Sequence, residues 1–185
     1  MAAENRSASE GLEPFDPGLD HFARLGLQPT LELDRDALEV AYLARSRVVH
    51  PDRHVGADAG TRRLAMEHSA ALNGAYQVLG NRITRAEYLV KLGGIDLDSS
   101  DPVGGAPHPS QAFLIDMIER REQLAEIEDD PDRVDDLREQ VEAEARQVLA
   151  RGEAALKAQD VRGAAAELVH HRYLRRFLEE LEQLL

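Results

Sequence analysis

The densest group of chemically capable side chains is His50, Pro51, Asp52 and His54, inside the stretch RSRVVHPDRHVG at 45–56. Two histidines four residues apart with a carboxylate between them are donor types that a transition metal accepts. Pro51 opposes that reading, because it keeps the two imidazoles from sharing a helical face, and the chain offers no further ligand cluster. A histidine beside an aspartate is also a pairing for acid–base catalysis near neutral pH. Neither a companion nucleophile nor a glycine-rich phosphate loop goes with it here. The third reading is an ordinary turn in which proline ends a helix and aspartate caps the next element. The tripeptide alone leaves these readings open, since short motifs also match by chance.

The elements around it narrow the choice. Asp34 is a good N-cap for a helix whose Leu38, Ala41, Tyr42 and Val49 share one face. That helix must stop by Val49, because the residue before a proline is driven out of the α region and Pro51 has no N–H to donate. A loop over 50–60 follows. A second long helix starts near Thr61, with Ala65, Leu72, Ala75, Tyr76 and Leu79 as its apolar stripe and Gly80-Asn81 as its stop. Short helices flank the pair, one from Leu19 to Leu25 and one in TRAEYLVKL, which ends at Gly93-Gly94.

The second half has a different character. Residues 99–109 hold three prolines and two glycines without apolar periodicity, and read as a linker. Three helices follow: one capped by Ser110, one opening at Asp130-Pro131 with Val134, Leu137, Val141, Ala145 and Val148 in line, and one from about Asp160 with Leu168, Leu174, Leu178, Leu181 and Leu185. Long amphipathic helices on short connections make an antiparallel bundle. The fold class is therefore all-α: a helical hairpin module at 19–98, a linker at 99–109 and a three-helix bundle at 110–185, preceded by a flexible tail at 1–18.

Composition excludes several functions. The 185 residues contain no cysteine, so disulfides, thiolate metal sites and a cysteine nucleophile are ruled out. The formal charge of -13 is uneven: residues 19–98 carry 10 basic and 11 acidic side chains, residues 111–185 carry 11 and 19. The second half repels polyanions, so nucleic acid is not an expected partner. No run of about 18 apolar residues suggests a membrane span, and the first residues, rich in Glu, match neither a secretory signal nor a transit peptide. A cytoplasmic location is the expectation.

Helix FLIDMIERREQL carries an apolar surplus. Phe113, Met117 and Leu124 make a sufficient core stripe, yet Leu114 and Ile118 form a second stripe about 100° around the helix. Either both stripes pack between two neighbouring helices, or one faces a partner. His68 lies near its helix's buried stripe and reads as a packed core residue; His170 and His171 diverge on their helix and read as surface.

Taken together, the hairpin with His50-Pro51-Asp52 at its tip, flanked by ALEVAY and HSAALNGAYQVL and closed by RAEYLVKLGGIDL, resembles the J-domain of co-chaperones that stimulate DnaK-type ATPases. With FLIDMIERREQLAEIE and the leucine-rich last helix, residues 19–185 are similar to the HscB family, J-type co-chaperones of iron–sulfur cluster assembly. The resemblance implies binding, with no catalysis and no cofactor or metal. His50, Pro51 and Asp52, with Arg45, Arg47 and Arg53, would engage a DnaK- or HscA-type chaperone. Leu114, Ile115, Ile118 and Tyr173, with Glu119 and Glu122 nearby, would bind an IscU-type scaffold. An adaptor serving a general DnaK chaperone with another client is the alternative. The basic approach differs from the family pattern: Glu39, Leu43 and Ala44 stand where basic residues often occur, so electrostatic steering is expected to be weaker.

Overall fold

The computed structural model describes residues 12–185, and every regular element among them is helical. Residues 1–11 of the expected tail lie outside the described residues. The described residues divide into two compact units, the first ending at Asn81 and the second starting at Arg82.

In the first unit α1 (His21–Leu25), α2 (Arg35–Val49) and α3 (Ala59–Gly80) surround Phe22, Leu25, Leu38, Ala65, Leu72, Ala75 and Leu79. Gly26 ends α1 at φ 72°, a left-handed cap that only glycine adopts without strain, and its N–H donates to the Ala23 and Phe22 carbonyls. Tyr42 and Tyr76, one from each long helix, lie 4.4 Å apart between ring centroids, and the Tyr42 hydroxyl donates to Asn73 Oδ1. The helix α3 begins two residues before the expected Thr61, because Asp58 caps it: its Oδ1 accepts the Gly60 and Thr61 N–H groups. The Thr61 hydroxyl, donating to the same carboxylate, is the main reason its pKa lies below the usual range.

The end of the expected tail is fastened rather than loose. Phe15 meets the His68 ring edge-on at 5.3 Å, Arg24 lies over Phe15, and Arg24 Nη2 donates to the Asp16 and Leu19 carbonyls. His68 is half-buried, with its Nε2 2.9 Å from the Glu13 carbonyl.

The second unit holds α4 (Arg82–Leu92), α5 (Gln111–Ile127), α6 (Pro131–Lys157) and α7 (Val161–Glu182). Helices α6 and α7 pack along their length and α5 joins them around Met117, Leu124, Val134, Val141, Val148, Leu174, Phe177 and Leu181. The proposed boundary at 99–109 is not where the contacts divide: α4, expected to close the hairpin module, packs on α6 and α7. Two charged clamps hold it there. Arg82 grips the buried Glu153 of α6 with two guanidinium nitrogens, and this pairing raises the Arg82 pKa. Arg172 of α7 spans Glu87 Oε1 and Oε2 at 2.7 and 2.8 Å, and reaches Asp98 and the Leu97 carbonyl.

The proline- and glycine-rich segment is a closed loop rather than a bare spacer. The Asp96 N–H donates to the Gly104 carbonyl, the Ala106 N–H donates to the Ser99 carbonyl, and Asp101 Oδ1 accepts from Val103 and Gly104. Gly105 must be glycine here, since a Cβ would come within 2.5 Å of the Ser99 and Asp101 carbonyls.

Candidate functional site

Two surfaces contain the residues singled out by sequence, one in each unit. In the first, α2 stops at Val49 and His50 is extended at φ -60°, ψ 128°, as a pre-proline residue must be. Pro51–His54 then wind into one 3₁₀ turn that packs on α3. Two side chains replace the helix bonds that the proline forbids. The Asp52 N–H donates to His50 Nδ1 at 3.3 Å, and His54 Nε2 meets the Val48 carbonyl at 3.0 Å, within the last turn of α2. In the neutral ring His50 thus carries its proton on Nε2. Its Nδ1 is also 3.7 Å from Asp52 Oδ2, a contact that becomes an ion pair only when the imidazole is charged. The shorter backbone contact describes the neutral turn.

The outcome is a polar point on a braced backbone. His50 and Asp52 are exposed, and Pro51 is half-buried beneath them. His54 spends Nε2 on the brace. Among the described residues no three His, Cys, Asp or Glu side chains gather around a common point.

The three arginines of the site do not act alike. Arg47 and Arg53 are exposed and have no ion-pair partner among the described residues. Arg45, also exposed, lies by the end of α1: a Cβ on Gly26 would come within 3.0 Å of its Nη2.

In the second unit the apolar surplus of α5 resolves into two faces. Met117 and Leu124 are buried and Phe113 packs against the core, whereas Leu114, Ile115 and Ile118 are 37%, 47% and 56% exposed. Tyr173 of α7, 37% exposed, belongs beside them through Phe113: the Tyr173 ring meets Phe113 edge-on at 5.7 Å. Glu119 and Glu122 are exposed on the same helix, and Arg121 pairs with Glu180 of α7 at 2.9 Å.

Phe113 also stacks on His170, with centroids 4.1 Å apart and planes 14° from parallel, a support that sequence reasoning missed. Burial pushes the His170 pKa below the usual imidazole range, with Glu167 opposing. His171, expected at the surface, is buried, with no hydrogen bond to its Nδ1. The broad apolar face of α7, which includes Ala164, Leu168, Leu174 and Phe177, extends to position 171, and burial lowers that ring's pKa as well. The signal was available: position 171 lies three after Leu168 and three before Leu174, on their side of the helix.

Comparison with known proteins agrees with this organisation. Residues 109–182 match the family model described as HSCB C-terminal oligomerisation domain. A co-chaperone protein HscB homolog of Bordetella petrii is 40% identical over 111 residues, covering 60% of this chain and 63% of that protein. Its counterpart from Ralstonia nicotianae is 38% identical over 128 residues, covering 68% and 70%. The chain thus spans just under two thirds of the first relative's length. The crystal structure of human co-chaperone protein HscB superposes with a TM-score of 0.80 at 25% identity, covering 98% of this chain and 91% of that one. HscB proteins are co-chaperones and not enzymes. With its all-helical fold and these relatives, the chain belongs to the HscB co-chaperone family.

Proposed function

We propose that this chain delivers an iron–sulfur cluster scaffold of the IscU type to a DnaK- or HscA-type chaperone and stimulates that chaperone's ATPase. His50 and Asp52, presented by the braced turn, engage the chaperone, and the chaperone's own ATPase centre does the chemistry. The rate gain follows from tighter binding to the hydrolysis-competent state of the partner. Leu114, Ile115, Ile118 and Tyr173 form the scaffold surface, with Glu119 and Glu122 at its edge. Carrying both surfaces on one chain raises the effective concentration of scaffold at the chaperone without any new contact.

The observation that carries this reading is the second apolar face of α5, left exposed although Phe113, Met117 and Leu124 already serve the core. The test mixes the full chain with a purified IscU-type scaffold, an HscA-type chaperone and ATP. The expected result is one assembly containing all three and a faster ATPase. Capture of the chaperone without the scaffold would leave an adaptor for another client.

A further inference from the structure

We infer that His170 is a proton-sensitive positioning residue for Tyr173: as a neutral ring it backs Phe113, Phe113 holds Tyr173, and a proton on His170 loosens both. The coupling of the three rings belongs to the free chain; its effect on binding rests on the proposed scaffold role of Tyr173. Phe113 lies flat on His170, with centroids 4.1 Å apart and planes 14° from parallel, and meets Tyr173 edge-on at 5.7 Å and 87°. His170 and Tyr173 stand about one turn apart on α7, so both reach the same ring from α5. A flat stack and an edge contact are the two geometries that aromatic pairs prefer, and Phe113 makes one with each partner. The remaining side of Phe113 packs against the core around Met117 and Leu124. Neither nitrogen of His170 makes a hydrogen bond among the described residues, so the stack on Phe113 is what orients the imidazole.

The surroundings of His170 suit a neutral ring. It is half-buried, and burial disfavours its charged form. Glu167 of α7 and Glu144 of α6 favour the proton, and Arg151 of α6 opposes it. Both carboxylates are already engaged: Glu167 accepts from Arg151 at 3.0 Å, and Glu144 pairs at 2.7 Å with Arg120 of α5. Arg120 in turn holds Asp116 at 2.8 Å, so α5 presents no free carboxylate to the ring. A charged imidazole keeps some attraction for a phenyl face, but lying flat against Phe113 it has one side closed to water. Turned toward solvent it recovers that hydration, and Phe113 loses its backing beside Tyr173. The coupling is reciprocal: a partner that needs Tyr173 in place binds the neutral form better, and lowers the pH at which His170 takes up its proton.

The test follows the His170, Phe113 and Tyr173 rings by NMR in the full-length chain between about pH 7.5 and 5, for wild type, His170→Phe and His170→Ala. Circular dichroism checks that each stays folded over that range. In wild type the Phe113 and Tyr173 resonances are expected to step at the His170 midpoint. In His170→Phe, which keeps a flat ring but takes up no proton, that step is expected to vanish. Tyr173 resonances that ignore the His170 midpoint, or that keep the step in His170→Phe through His171, overturn the inference. So does a His170 that stays neutral until the chain unfolds. Calorimetry with a purified IscU-type scaffold then reads the effect on binding. The scaffold is expected to lower the His170 midpoint by about 0.5, equivalent to an affinity about threefold weaker once the ring is charged. His170→Phe is expected to bind like neutral wild type and to lose that part of the pH dependence, whereas His170→Ala binds more weakly even at pH about 7.5. Two variants that weaken binding equally, with the wild-type pH dependence unchanged, make His170 a packing residue and overturn its positioning role. A scaffold that fails to bind the wild-type chain overturns the scaffold reading and the binding effect with it, while the ring coupling is decided by the resonances of the free chain.

Discussion

In the first unit the candidate site is a point: three consecutive residues on a backbone held by His54 and the Val48 carbonyl. In the second it is a face, assembled from Leu114, Ile115 and Ile118 on α5 and Tyr173 on α7. The point needs only local geometry, since proline fixes the turn and two side chains brace it. The face needs the whole bundle to be packed, because its members lie some 60 residues apart and meet through Phe113. The geometry of the polar candidate site is set by a few neighbours in sequence, and that of the apolar one by the tertiary fold.

The largest expected effect separates the two sites. Replacing His50 by Gln removes chaperone stimulation, a loss of about 30-fold or more if the turn is a recognition hot spot, while scaffold affinity holds. Next, Leu114→Ala, Ile118→Ala and Tyr173→Ala together weaken scaffold binding by roughly 10- to 100-fold in calorimetry. The same triple variant leaves intrinsic chaperone stimulation intact and shifts stability by no more than about 1.5 kcal/mol, because these residues are exposed. If one variant disables both sites, the point and the face are not separable.

A smaller effect tests the anchoring of α4. Arg82→Ala leaves the carboxylate of Glu153, 7% exposed, without its bidentate partner. It should cost about 1–2 kcal/mol in denaturant unfolding, tempered by the nearby charge of Arg85, without moving either binding constant. The smallest effect is a pH dependence of the second unit. His170 and His171 both have pKa values lowered chiefly by burial, so the folded state binds protons less readily than the unfolded chain. Their contribution is complete above the unfolded imidazole range, about 6.5, and is lost as pH falls through it toward the folded values. Unfolding at pH 7.5 and 5.5 should show a lower midpoint in acid, and a smaller difference in His171→Leu.

Sequence patterning revealed features that depend on neighbours. The end of α2 follows from Pro51, the Ser110 and Asp130 caps from residue type, and the spare stripe of α5 from counting apolar positions. What sequence reading misplaced depends on distant partners. The allegiance of α4 is decided by Arg82–Glu153 and Arg172–Glu87, pairs 71 and 85 residues apart. A hydrophobic stripe says that a helix has a buried side and not which helix covers it. The loop at 95–106 misled for another reason: its order comes from backbone hydrogen bonds and Asp101, which leave no apolar period to read.

The Phe113 contact has a kinetic meaning. Ser110 Oγ accepts the Phe113 N–H at 3.2 Å, fixing the first turn of α5, and Phe113 in turn lies between His170 and Tyr173. A tyrosine already propped against a stacked pair has fewer rotamers to surrender when a partner arrives. Saved conformational entropy of this kind slows departure more than it speeds arrival, so the propped aromatic would lengthen the residence time of a partner on the proposed face.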